Sequence, residues 1–326
     1  MIVRLIKIIS TLLIAIAGNI KAYSANTEVF GRAHLSVGSV SEDDESKNRS
    51  TSVTSHASRF GVKGSIDTDS EVKVIYRIVW QVDMSDNNSS SDDHIKSREQ
   101  FVGLAWNWGQ LHIGRDDSPY KLAGKKQVEH LSDTWADYNN IIDKNQDTRN
   151  DDSIGYWGKV GVGKLGIQYA AGDDKPASEN LGDSWSFAYD IQQESFAAAI
   201  AYQTIEKTVF NEETGTKLVL GYKLGKTQLG VIFENVEDDN LKDENNSLIS
   251  IKHNFDDKNA LKFTYGIKDQ NQLKDAKMTA LAFDHKMGDR ISAYALLAKG
   301  FDNGLKDDSK IDGDGTLLVV GIIAKF

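Results

Sequence analysis

The chain has 326 residues and carries 38 Lys and Arg against 48 Asp and Glu, a net charge of −10. That balance argues against nucleic acid as a partner, because phosphate binding needs a basic surface. Cysteine is absent, which excludes a disulfide framework and thiol chemistry.

The first residues are Met1-Ile-Val-Arg4-Leu-Ile-Lys7, followed by an apolar run over Ile8–Ala17 and small residues around Ala22–Ala25. A positive start, a short apolar stretch and a small-residue end predict a cleaved secretory signal over 1–25, cut between 22 and 25. The run is too short for a spanning helix, which takes roughly 20 apolar residues. Removing Arg4, Lys7 and Lys21 leaves 35 basic and 48 acidic residues in the expected barrel domain, 26–326.

Beyond the signal, hydrophobicity comes in short alternating stretches with no helix-length apolar run. The pattern predicts sixteen strands: 28–39, 57–66, 71–83, 98–106, 110–115, 153–157, 164–171, 184–190, 195–203, 215–223, 227–235, 247–255, 260–268, 278–285, 290–299 and 315–326. Short connections alternate with long ones rich in Asp, Asn, Ser and Lys. An even strand number with that alternation is the plan of an antiparallel transmembrane β-barrel, whose closure leaves no open edge in lipid. A soluble sandwich or propeller also alternates, but nothing in it demands systematic long and short loops. The best helix candidate, 121–138, lies inside the longest connection, 116–152.

Side-chain parity places cations on the interior face. Arg32 and His34 lie on one side of strand 28–39, opposite Leu35 and Val37. Arg59 and Lys63 oppose Phe60 and Val62, and Arg77 opposes Ile78. A lipid-facing charge at the bilayer midplane costs roughly 2–4 kcal/mol, so these side chains belong in the lumen. Arg98 is out of step, because Val102 and Leu104 share its parity unless a β-bulge intervenes.

Other motifs carry less. Gly161-Val-Gly163-Lys-Leu-Gly166 matches a dinucleotide fingerprint, but an alternating strand follows it, so it reads as a tight turn. The seven histidines show no metal-ligand spacing, and no Ser–His pair stands out. No cofactor is expected, although Glu42–Glu45, Asp92-Asp93 and Asp307–Asp314 offer weak sites for Ca²⁺ or Mg²⁺, which would bridge lipopolysaccharide. The chain closes on Leu318, Val320, Ile322, Ala324 and Phe326, alternating with Gly321, Ile323 and Lys325, a last strand whose apolar face meets lipid.

Five segments in order resemble the opening strands of general bacterial porins of the Gram-negative outer membrane. They are Phe30-Gly-Arg32, Ser58–Gly64, Arg98–Leu104, Trp108–Arg115 and Arg149–Tyr156, completed by Phe326. The resemblance implies a 16-stranded trimeric barrel with long extracellular loops, short periplasmic turns and an inward-folded third loop, here 116–152. It implies a basic ladder of Arg32, Arg59, Arg98 and Arg149, joined on the wall by Lys63 and Arg77. The candidate loop acids are Glu129, Asp133 and Asp137, although the Pro-Glu-Phe-Gly-Gly run of the enterobacterial branch is missing. Phe326 would be the assembly signal read by the barrel-assembly machinery.

The expected protein is a passive, water-filled, mildly cation-selective channel of the cell outer membrane, not an enzyme. Its partners would be two further copies of itself, outer-membrane lipid and lipopolysaccharide. Ala197, Ala199 and Ala201 hint at a trimer contact. The alternatives are an oligosaccharide-specific channel using Trp135, Tyr138 and Trp157 as an aromatic slide, or a non-conducting structural or adhesive barrel.

Overall fold

The computed structural model describes residues 25–42, 50–85, 94–143, 145–172, 182–208, 211–238, 243–270, 274–305 and 313–326. Residues 1–24 of the signal expected over 1–25, and most of the acid-rich loop residues around 43–45, 92–93 and 307–312, lie outside the described residues.

The strands are β1 (Ala25–Glu42), β2 (Ser50–Ser55), β3 (Arg59–Asp67), β4 (Lys73–Val82), β5 (Ile95–Trp106) and β6 (Gly109–Asp117). After the longest connection come β7 (Arg149–Val160), β8 (Gly163–Ala170), β9 (Ser184–Gln192), β10 (Phe196–Thr208), β11 (Asn211–Leu224) and β12 (Thr227–Asp238). The last are β13 (Glu244–Asn254), β14 (Asn259–Gln270), β15 (Ala276–Lys286), β16 (Ile291–Phe301) and β17 (Gly315–Lys325).

β2 and β3 are two halves of one stave, since β1 pairs antiparallel with both, the register shifting by one residue between them. The break between them falls at His56–Ser58, where Ala57 takes φ 47° and the His56 amide still bonds to the carbonyl of His34 at 2.8 Å. The barrel therefore has sixteen staves. Each is antiparallel to the next, and β1 closes the ring against β17 from Arg32↔Lys325 to Glu42↔Gly315. Ring closure leaves no open strand edge facing lipid.

The chain end completes this seam. Phe326 exchanges both backbone hydrogen bonds with Gly31, at 2.9 and 3.1 Å. Its ring lies where a side chain on Gly31 would be, with a Cβ there only 2.1 Å from Phe326 Cζ. A side chain at 31 would therefore displace the Phe326 ring from its place over the seam.

The outward faces are apolar and exposed, as on Leu318, Val320 and Ile322 of β17. Aromatic residues gather at both rims, with Trp106, Trp108 and Tyr156 packed together beside the short turns and Tyr169, Trp185 and Phe187 toward the long-loop side. This is the girdle of a membrane barrel. The Gly161–Val162 pair forms a turn between β7 and β8 with Gly161 at φ 57°, as its reading as a turn requires.

The inner face departs from a uniformly wet lumen. Val219, Ile232, Leu248, Met278, Leu296, Leu317 and Val319 are all almost fully buried, and they point inward. They form one hydrophobic cluster with Tyr120, Trp135, Ile141 and Ile142 of the inward-folded connection. The inward-folded connection thus shares a hydrophobic cluster with this part of the wall. Ala197, Ala199 and Ala201 are buried on this inner face, while Ile200 and Tyr202 face out. The expected hint of a trimer contact at those alanines is corrected accordingly.

Candidate functional site

The connection between β6 and β7 runs over 118–148, shorter than the expected 116–152 because β6 continues through Asp117 and β7 begins at Arg149. In place of the single helix expected over 121–138 are two short helical turns, α1 (Pro119–Leu122) and α2 (Lys125–Val128), and a 3₁₀ turn at Tyr138–Asn140. Ser118 caps α1 by accepting from the Lys121 amide, with Pro119 pre-set for the first turn. Gly124, at φ 63°, ends that run; its α-carbon faces Val219, and a Cβ would meet that side chain at 2.4 Å. Asp133 at φ 51° turns the chain again.

Apolar and polar anchors fix the loop to the wall. Trp135 packs over Gly38, and Ile141 over Gly266. Glu234, fully inside the barrel, accepts from Tyr120 Oη at 2.8 Å, the Asp143 amide at 2.8 Å and Asn246 Nδ2 at 2.9 Å. Tyr138 donates to Asp147 at 2.6 Å, and Lys121 reaches the same carboxylate at 3.2 Å. Burial opposes ionisation of Asp147, yet Lys121, Lys125 and Lys217 hold its carboxyl below the usual range. Buried bonds of this kind are costly to break, because each orphaned group keeps its desolvation penalty.

The loop carries Asp133 to the opposite wall. Its carboxylate forms ion pairs with Arg32 on β1 and, at 3.4 Å, with Arg59 on β3. Burial works against the charge on Asp133, but Arg59 and Arg32, with Arg98 behind them, pull its pKa below the ordinary carboxylate value. Arg98 bonds to Gln81 at 2.7 Å and lies 3.8 Å from Glu99. Arg149 is held between Glu99 at 3.3 Å and Asp117 at 2.9 Å.

The parity problem at Arg98 resolves as a bulge. Ile78 pairs with Gln100 and Trp80 with Ser97, so Arg98 and Glu99 together oppose the single residue Val79. The bulge lets Val102 stay outside, where it is half exposed, while Arg98 and Glu99 both turn to the interior. Glu99 escaped the sequence reading for this reason; its adjacency to a misfit arginine was the one available signal.

The other expected residues are placed as follows. Lys63 and Arg77 face each other in register nearer the short-turn rim, both over the Phe30 ring at 5.1 Å, so they lie below the constriction. Glu129 pairs with Lys125 at 3.2 Å within the loop. Burial and the neighbouring Asp137 raise its pKa to about 8, against the pull of Lys125. Asp137 does not face the opening, which corrects its assignment among the eyelet acids. It is buried and caps the 3₁₀ turn by accepting from the Asn139 amide at 3.0 Å. Burial and Asp133 raise its pKa to about 6.

Trp135 and Tyr138 are each 4% exposed inside the loop core, which leaves Trp157 alone of the expected aromatic slide. Trp157 lines a cavity of about 740 Å³ on the short-turn side of the loop, together with Arg77, Glu99, Phe101, Lys125 and Lys159.

A family model described as Gram-negative porin matches residues 10–304. The chain belongs to this family. This porin is a β-barrel protein of the outer membrane. It is 28% identical over 183 residues to the outer membrane protein YedS of Escherichia coli, covering 53% of this chain and 48% of that one. It spans about half the length of the curated relatives it matches.

Among solved structures, the porin's fold matches the anion-selective porin from Comamonas acidovorans with a TM-score of 0.78, at 18% identity, over 93% of this chain and all of that one. It matches the in-vitro folded trimer form of OmpT from Vibrio cholerae with a TM-score of 0.68, at 13% identity, over 93% and 100% of the two chains.

Proposed function

We propose that this porin is a passive, water-filled channel for small hydrophilic solutes and ions, with a mild preference for cations. The observation that carries the reading is the loop 118–148. It docks on one part of the wall through a hydrophobic cluster, sets Asp133 against Arg32 and Arg59 on another, and borders a cavity with charged lining. Charges of both signs at a narrow level order water and disfavour apolar solutes. The reading contains no chemical step and no resident cofactor.

The sign of the ion preference comes from a competition. At the constriction, Asp133 serves two arginines, and Glu99 with Asp117 offsets Arg98 and Arg149, leaving a small cationic surplus. The chain as a whole carries −10. Acids in the mouths act over a Debye length of about 10 Å at 0.1 M salt, and further at lower salt. The cation preference should therefore grow as salt falls.

The proposed working form is a homotrimer in contact with lipopolysaccharide, delivered by assembly machinery that reads Phe326, after removal of a signal over residues 1–25. Liposome swelling with neutral sugars of increasing size tests the channel reading. Rates that fall smoothly with size support it, and a saturable rate for one sugar would replace it with the oligosaccharide-specific reading.

A further inference from the structure

Arg32 is held from behind as well as in front. One guanidinium nitrogen pairs with Asp133, and the other, Nη2, lies 2.8 Å from Nδ1 of His34. His34 is fully buried on the inner face of β1. Its Nε2 is 2.9 Å from the hydroxyl of Tyr294 on β16. The ring lies 4.8 Å from that of His56 and 5.5 Å, edge-on, from that of Tyr294. His56 is in turn held by Ser36 Oγ at 2.7 Å, and Ser58 Oγ accepts from the His34 amide at 3.0 Å.

Hydrogen-bond chemistry fixes the protonation state of this ring. A guanidinium has donors and no acceptor. The contact with Arg32 therefore exists only if Nδ1 of His34 presents a lone pair. Nε2 then carries the proton and donates to Tyr294. We propose that His34 is a positioning residue that aims Arg32 at Asp133, and that it acts only as the neutral Nε2–H tautomer.

The groups facing His34 make protonation disruptive. Arg32 lies on its own strand, His56 at the end of β2, Arg59 on β3 and Asp133 on the loop. On the β16 side, Tyr294 is followed by Asp284 of β15, which pairs with Lys262. A proton at Nδ1 would point an N–H at the Arg32 guanidinium and add a third cation beside Arg32 and Arg59, against the single carboxylate of Asp133. Arg32 then loses its rear support, and the constriction gains positive charge. This inference rests on reading Arg32 and Asp133 as the constriction pair.

Imidazole NMR of the full-length protein labelled at histidine tests the tautomer without altering the chain. At neutral pH His34 should give the Nε2–H signature; the Nδ1–H tautomer or an imidazolium there overturns the proposal. The second arm compares reversal potentials of the wild type and His34→Asn as pH is lowered from about 7 to about 3. Asn keeps an acceptor for Arg32 and does not titrate. Each compared with its own value at neutral pH, the wild type alone should take an added step toward anions, roughly two- to fivefold in permeability ratio. Coincident curves overturn the proposal, and if the variant does not assemble the NMR arm decides. The channel reading fails separately, if Asp133→Asn leaves selectivity unchanged while the tautomer is as stated.

Discussion

Asp133 on the inward-folded loop forms an ion pair with Arg32 on the first strand, 101 residues earlier in the chain. The pair ties the inward-folded loop to the wall at β1, so the residues proposed to narrow the pore also hold the loop in place.

Removing that carboxylate should free two guanidinium groups at once. Asp133→Asn is expected to shift the cation-to-anion permeability ratio toward anions by roughly fivefold, since a unit charge at about 4 Å in water is worth about 1 kcal/mol. Reversal potentials in a salt gradient check this. Because the arginines hold the carboxyl of Asp133 below its usual range, the pair contributes its stability throughout the neutral range and loses it only in acid, below the usual carboxylate titration.

Glu129 behaves oppositely. Its pKa of about 8 in the folded channel lies above the ordinary glutamate value, so the folded state keeps a proton that the unfolded state gives up. Stability from this group is present in acid and is lost as pH rises through about 8. Over the same interval the loop gains a negative charge beside Lys125. Cation preference should rise between pH 7 and 9 (roughly, one unit on either side of that value), and Glu129→Gln should abolish the rise.

Loop docking depends on its apolar anchors. Ile141 is fully buried against Gly266, and Ile141→Ala should cost about 2–5 kcal/mol of packing. The barrel itself, closed by its own ladder, should still form. Single-channel recordings should then show a larger and noisier conductance, with the folded band on a gel unchanged.

The seam gives a prediction about assembly. Gly31→Val places a side chain where the Phe326 ring lies and should lower the folded fraction in the outer membrane much as deletion of Phe326 does. Heat-modifiable mobility on gels checks it; normal folded levels in both variants would contradict the role given to the chain end.

Much of this architecture is legible in the sequence, because a barrel wall obeys a period of two and lipid forbids charge on one face. All sixteen staves fall where alternation places them, and the misfit of Arg98 with Val102 already points to the bulge. The strands run longer than expected at the mouths, where polar residues such as those of Asn211–Glu213 continue the ladder without any apolar signal.

The loop is less legible. Its segment 121–138 has helical spacing, but Gly124, Asp133 and Asp137 each turn the backbone, and tertiary docking outweighs local propensity. The hydrophobic cluster between the loop and the wall was also hidden. Leu317 and Val319 look like any apolar strand residues until Trp135 and Ile141 are known to cover that wall. Of the three acids proposed from the loop, spacing alone could not separate Asp133, which reaches the wall, from Asp137, which is used as a cap.

The most direct test of the account is planar-bilayer recording of the purified protein across a salt gradient. Stepwise, ohmic current increments that rise with salt without saturating are expected, with a reversal potential of cationic sign that strengthens as salt is lowered. A protein that inserts without conducting, or a reversal potential of anionic sign at low salt, would contradict it.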